Sequence, residues 1–122
     1  MGDMPLRALT RLLRSRRRRS LHQSILRGEF RMDTFHALAH GALADLEQEV
    51  RRVTNSSAEE SVAAIHTDAV EATKQFLVDA DYMLRTPLGN GETSRSRMSA
   101  GIAMYVQWRR EMDRALTMAR AQ

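Results

Sequence analysis

The 122-residue chain contains no cysteine, two prolines and one lysine, and only 5% of its residues are aromatic. Without thiols it has no disulfide framework, no Cys-ligated zinc or iron–sulfur centre and no cysteine nucleophile, so packing alone must hold the fold. No apolar stretch approaches the roughly 18 residues that a membrane span needs. Together with a mean hydropathy of −0.46 this predicts a water-soluble chain without a transmembrane segment.

The scarcity of turn-forming residues indicates the fold class. Two prolines and six glycines are too few for an all-β design with turns at short intervals. The residues that are plentiful, Ala, Leu, Met, Arg and Glu, favour helix. We therefore predict an all-α protein the size of one small domain.

Positive charge is concentrated at the amino terminus. The net charge is +4, but residues 1–31 contain nine arginines against two acids, a local balance of +7. Residues 32–85 have a balance of −6 and residues 93–122 one of +4. Because opposite charges attract, we expect the last helix to lie against the acidic middle, which leaves the basic amino terminus for another partner.

We interpret residues 1–31 as an arginine-rich arm outside the core. Its first part, from Pro5 to about Arg14, can form a short amphipathic helix with leucines on one side and arginines on the other. The run of arginines that follows, residues 16–19, carries charge all round and is a marginal helix without a polyanion. Gly28 is expected to end this segment.

Three helices are expected over residues 32–122. Asp33 is a candidate N-cap for a helix that reaches Val53, and serines 56 and 57 each begin a capping-box pattern for the next helix. The stretch 86–91, with its Pro and Asn-Gly, breaks that helix, and the last one starts at about Thr93 or Ser94. The sequence predicts a three-helix bundle.

Heptad spacing is the strongest pattern in the two later helices, which we predict to form an antiparallel hairpin with residues 33–53 packed across it. Its expected seam consists of Val62, Ile65, Ala69, Ala72, Phe76, Ala80 and Met83, facing Met98, Gly101, Tyr105, Trp108, Met112, Ala115 and Ala119. Small seam residues make a thin core, which favours self-association. Met104 and Met118 lie off the seam and are the candidate oligomer contacts.

Metal and cofactor sites are not predicted. His36 and His40 share a helix face with Glu47 nearly in line, but seven residues rise about 10 Å, too far for all three side chains to bind one ion. No Gly-rich phosphate loop or nucleophile elbow occurs.

One pair of residues suggests a nuclease. Arg31 and His36 are separated by four residues, a spacing that resembles the catalytic pair of HEPN-type ribonucleases, which are small helical bundles. The resemblance implies that Arg31 would hold the phosphate and His36 would act as acid or base on the ribose 2′-hydroxyl. It covers these two residues only.

The density of arginine favours binding to nucleic acid through phosphate contacts, without sequence preference. A non-enzymatic structural component of a virion or nucleoprotein complex is the function we predict first, with homo-oligomerisation and no small-molecule substrate. The predicted contacts are Arg7, Arg11, Arg14, Arg16, Arg17, Arg18 and Arg19, with Arg110 and Arg114 as a second basic face for duplex RNA.

Several alternatives stay open on the sequence alone. The same basic amino terminus fits an organellar presequence, a nuclear address or an anchor to anionic membranes. In the first two cases the helices would form a protein-interaction adaptor or an imported subunit. The Arg31 and His36 nuclease is the third class of function.

Overall fold

The computed structural model describes residues 6–53 and 56–122, except for the side chains of residues 6–12 and Ser56. It contains four helices: α1 (Leu6–Leu26), α2 (Met32–Arg52), α3 (Ser56–Arg85) and α4 (Ser94–Arg120). No strand occurs in these residues, so the all-α prediction is confirmed. None of the helices in the described ranges combines the length and apolar character needed to cross a membrane.

Helix α1 extends well beyond the predicted end at about Arg14 and contains the whole arginine run. Ile25 is fully buried and Leu21 packs against the same core. Tertiary packing supplies most of the stability of a helix in a protein, and here it stabilises a segment whose charges oppose helix formation. The carboxyl end of α1 therefore belongs to the core, which corrects the prediction that all of residues 1–31 lie outside it.

The turn after α1 is a Schellman motif. Gly28 has φ +80, the left-handed conformation that glycine adopts without strain. Its N–H donates to the carbonyl of Ile25 at 2.9 Å, and the N–H of Glu29 donates to the carbonyl of Ser24 at 3.0 Å. The predicted stop at Gly28 is thus confirmed.

The start of α2 differs from the prediction. Arg31 occupies the N-cap position but its side chain makes no capping hydrogen bond to α2, while Asp33 lies in the first turn. The prediction that Asp33 is the cap is wrong, although its carboxylate there still favours the positive end of the helix dipole. Helix α3 begins at Ser56, as expected. The predicted cap by the Ser56 side chain lies outside the described residues.

The connection between α3 and α4 is held by defined hydrogen bonds. Thr93 caps α4 by accepting from the Ser96 N–H at 3.0 Å, and Ser96 Oγ accepts from the Thr93 N–H at 3.0 Å. The Arg97 guanidinium donates to the carbonyls of Met83, Thr86 and Pro87 and pairs with Glu92. The Arg97 side chain therefore has a structural role in this connection.

Helices α3 and α4 run antiparallel, because later residues of α3 meet earlier residues of α4. Phe76 stacks on Trp108 with ring centroids 4.6 Å apart, Thr73 Oγ1 lies 3.5 Å from Met112 Sδ, and Met83 meets Arg97. The buried residues of the pair are Val62, Ala69, Thr73, Phe76, Ala80, Gly101, Tyr105, Trp108, Met112, Ala115 and Ala119.

Met98 is the one predicted aromatic or methionine core residue of α4 that the structure places elsewhere. It is 40% exposed, and its side chain lies over Gly28, outside the core. Thr73 is buried in the core, although the spacing of hydrophobic residues did not predict it there. Its hydroxyl can be buried because it is hydrogen-bonded within the core. The predicted inner positions of Met112, Tyr105 and Trp108 are confirmed.

Candidate nucleic-acid interface

The carboxyl half of α1 is fixed to the bundle at three levels. Arg18 donates from Nη1 to Asp45 Oδ2 of α2 at 2.7 Å. One turn later, His22 Nδ1 lies 2.7 Å from the hydroxyl of Tyr105 on α4. Ile25 then enters the core. These contacts place α1 against α2 and α4, while α1 does not touch α3 in the part of the chain that the structure describes.

Residues 13–17 stand clear of the bundle. All five are exposed, and five consecutive residues of an α-helix cover more than its full circumference. We call residues 13–17 the projecting turn, because none of its five residues is buried against the rest of the described chain.

The projecting turn is rich in unpaired positive charge. Arg14, Arg16 and Arg17 are exposed, as is Arg19 just after them. None of these four has a carboxylate within 4.0 Å among the described residues, since the ion pairs of α1 there involve only Arg18 and Arg27. Four like charges within six residues repel one another, and an anionic ligand would relieve that repulsion.

The outer face of α1 continues this basic surface along the docked half of the helix. Arg16, Arg19, Ser20 and Gln23 line one shallow depression, with Arg27 at its end. Serine and glutamine side chains commonly bind phosphate oxygens beside arginine. Arg27 itself pairs with Glu29 at 3.2 Å.

The remaining predicted arginine contacts fall into three groups. The side chains of Arg7 and Arg11 lie outside the described residues. Arg110 and Arg114 are exposed on α4, on the side turned away from its buried stripe, and have no ion pair among the described residues. Arg18 is already paired with Asp45, so its structural role differs from that of its neighbours.

A small polar cluster beneath α1 was not indicated by the sequence pattern. The fully buried Tyr105 accepts a hydrogen bond from Arg109 Nη1 at 3.1 Å. Its own proton is therefore available for Nδ1 of a neutral His22. Burial lowers the pKa of His22, the nearby Arg109 charge lowers it further, and Asp113 partly opposes this. Burial likewise raises the pKa of the Tyr105 hydroxyl.

The two candidate oligomer contacts lie on one flank of α4. Met104 is half-buried and lines an open groove between α3 and α4, whose volume is about 610 Å³. We name this the α3/α4 groove; Phe76 and Trp108 form its floor, and Ala72, Ala100 and Ala103 form its walls with Met104. Met118 is 49% exposed but stands about 21 Å further along the helix, beyond the groove lining.

The histidines of α2 face solvent. His36 and His40 are exposed, and the structure brings no third histidine or carboxylate into a metal-binding group with them in the described ranges. Glu47 lies 3.9 Å from both Arg51 and His66. His36 borders a depression shared with Leu77, Asp81 and Arg85, and Arg31 is not part of that lining.

Comparison of the chain with protein-family models, curated proteins and solved structures finds no match. The geometry of the described residues is thus the basis for assigning a function.

Proposed function

We propose that this chain is a non-enzymatic assembly protein that binds nucleic acid through the arginines of α1 and self-associates through its helices. The observation that supports this most directly is the projecting turn, residues 13–17, all five of which are exposed. A helical arm of this kind can approach a nucleic-acid backbone without any rearrangement of the bundle. In this proposal α3 and α4 form the heptad hairpin that carries the arm.

The charge arrangement supports contacts to phosphate rather than to bases. Arg14, Arg16, Arg17 and Arg19 point in different directions around the helix, so they can neutralise phosphates but cannot form one ordered row against base edges. Each neutralised phosphate of duplex DNA releases condensed counterions and contributes about −0.9 to the slope of log K against log salt. Four contacts give a slope of about −4.

A salt titration of binding to labelled duplex DNA, duplex RNA and single strands tests the proposal. The informative variant replaces Arg14, Arg16 and Arg17 with alanine, which also favours helix. We expect the slope to fall by roughly 3 and the affinity at low salt to drop steeply, with little dependence on sequence.

The matched control removes the same charge elsewhere, by alanine substitution of Arg51, Arg85 and Arg95, all exposed. It is expected to keep most of the wild-type slope. Equal losses in the two triple variants would show only a net-charge effect, and a wild-type chain that binds none of the probes would rule out the proposal.

A further inference from the structure

Helix α1 runs antiparallel to α4 where the two helices meet. His22 Nδ1 lies 2.7 Å from the Tyr105 hydroxyl. Gly28, six residues further along the chain, lies against the Met98 side chain. Because Met98 precedes Tyr105 in α4, earlier positions of α1 lie beside later positions of α4.

Two exposed arginines of α4 lie next to this contact. Arg109 marks the side of α4 that faces α1, because it donates to the hydroxyl of Tyr105, the residue that meets α1. Trp108 and Arg110 lie about 100° to either side of Arg109. Trp108 is buried in the core, whereas Arg110 is exposed, and Arg114 is exposed one turn later on the same side. Both arginines therefore lie on the solvent side of the α1/α4 contact.

Two arginines of α1 lie on the matching side of that helix. Arg18 contacts Asp45 of α2, and His22, about 40° further around α1, contacts α4. Arg19 lies about 60° beyond His22 in the same direction, which carries it past α4 and away from α2. Arg16 lies another 60° or so further on, and both are exposed and line one depression.

The two pairs of arginines are also level with each other. Measured along the helix axes from His22 and its partner, Arg19 and Arg16 lie about 4.5 and 9 Å away. Arg110 and Arg114 lie about 7.5 and 13.5 Å away in the same direction, because the helices are antiparallel. Packed helices have axes about 8–10 Å apart, a distance that long side chains span. The four arginines therefore border one surface, which we call the α1/α4 surface.

The α1/α4 surface is positively charged and polar. None of its four arginines has a carboxylate within 4.0 Å among the described residues. The acids of this stretch of α4 are turned elsewhere, since Glu111 lines the α3/α4 groove and Asp113 lines a cavity beneath Arg18. The large exposed apolar residues of α4, Met98 and Met118, lie beyond its ends. This composition favours phosphate over a protein or membrane partner, which would bury apolar anchors.

We propose that a single nucleic-acid backbone lies across the α1/α4 surface, bound by Arg16 and Arg19 on one side and by Arg110 and Arg114 on the other. The α4 arginines then continue the interface of α1 and do not form a separate face. This surface rests on the proposed function and adds to it a second helix that contacts the ligand. The docking of α1 on α4 through His22, and not the arginine run alone, sets the arrangement of these charges.

Paired substitutions in the salt titration test the proposal, on a DNA duplex of one helical turn, about 34 Å long. Arg110→Ala combined with Arg114→Ala should lower the slope of log K against log salt by about 2, as should the corresponding double variant of Arg16 and Arg19. Duplex RNA and single strands of the same length show which form of the backbone is bound.

The matched control combines Arg85→Ala with Arg95→Ala, which removes the same charge at two exposed positions. Arg95 is on α4 as well, about 22 Å along the helix from Arg110 and beyond the end of α1. This variant is expected to keep most of the wild-type slope. Circular dichroism verifies that each variant is folded.

A second measurement locates the contacts on the unsubstituted protein. Phenylglyoxal modifies accessible arginine side chains, and mass spectrometry identifies the modified residues. Bound duplex should protect the four arginines of the α1/α4 surface together and leave Arg85 and Arg95 reactive. The mass of the complex by light scattering should correspond to no more than one duplex per chain.

The outcomes separate this proposal from the proposed function. If the α4 double variant behaves like the control while the α1 double variant loses its slope, the α1/α4 surface is wrong and the proposed function stands. Protection of the α1 arginines alone, or a complex with two duplexes per chain, would likewise overturn the α1/α4 surface. A wild type that binds phosphatidylserine vesicles but none of the nucleic-acid probes, or binds neither, would overturn both.

Discussion

Arg18 and Asp45 form an ion pair at 2.7 Å that joins α1 to α2 in the middle of a run of otherwise unpaired arginines. Its neighbours Arg16, Arg17 and Arg19 have no such partner among the described residues. The run therefore divides into one residue that holds the helix in place and several that are available to a ligand.

The ion pair predicts different effects for adjacent arginines. Both members are about one-third exposed, so a double-mutant cycle with Arg18→Ala and Asp45→Ala should give a coupling of about 0.5–1 kcal/mol in the free energy of unfolding. Arg16→Ala should change that free energy by less than about 0.5 kcal/mol. In the salt titration we expect the opposite ranking of the two substitutions. Arg16→Ala should lower the slope of log K against log salt by about 1, and Arg18→Ala should leave it nearly unchanged. Similar slopes for the two variants would contradict this difference between a structural arginine and a ligand-binding one.

A second prediction concerns the hydrogen bond inside the α3/α4 core. The Trp108 Nε1–H donates to Thr73 Oγ1 at 3.0 Å, and the Thr73 hydroxyl donates to the carbonyl of Ala69 at 2.7 Å. Thr73→Val keeps the shape but leaves the indole donor buried without a partner, which costs about 1–3 kcal/mol. Urea unfolding followed by Trp108 fluorescence measures the loss. Thr117→Val is the control, because its hydroxyl donates to the carbonyl of Asp113 in the same way but is exposed; equal losses would argue against the Trp108 bond.

The helices of the second half of the chain could be predicted because each buries one stripe of regularly spaced residues. Tyr105, Trp108 and Met112 occupy the core positions that their spacing indicates. The extent of α1, which reaches Leu26, could not be predicted from such a stripe. Its stability depends on partners far away in sequence, Asp45 at a separation of 27 residues and Tyr105 at 83.

The candidate interface could be predicted from the sequence only in part. An arginine run is visible in any sequence, so Arg14, Arg16 and Arg17 could be proposed without a structure. That Arg18 is paired, and that His22 meets Tyr105 and Arg109, depends on how α1 packs. The one local signal was the spacing of Tyr105 and Arg109, four residues apart on one helix.

Gly101 provides a third prediction, from the close approach of two side chains. A Cβ at this position would lie 2.5 Å from Phe30 Cε2 and 2.9 Å from Met83 Sδ. Gly101→Ala should gain up to about 1 kcal/mol of helix propensity. Overpacking at a buried site costs about 1–3 kcal/mol, so we expect a net loss in the free energy of unfolding. Gly89→Ala, where nothing lies within 4 Å of the added Cβ, should leave stability nearly unchanged. A more stable Gly101→Ala variant would show that Phe30 moves aside freely.

The last prediction is a pH dependence of stability that originates at His22. Burial and the Arg109 charge hold the pKa of His22 below its ordinary value of 6.5 in the folded chain, against the opposing charge of Asp113. Below about pH 6.5 the unfolded chain therefore binds a proton that the folded chain does not, and the free energy of unfolding decreases as the pH falls through this range. The stabilising contribution is complete above that pH, where His22 is neutral in both states. Urea unfolding between pH 5 and pH 8 should show a steeper decrease for the wild type than for His22→Gln, which keeps a polar group near Tyr105 but cannot titrate. His36, His40 and His66 are common to both proteins and cancel in the difference, so parallel pH profiles would remove His22 as the cause.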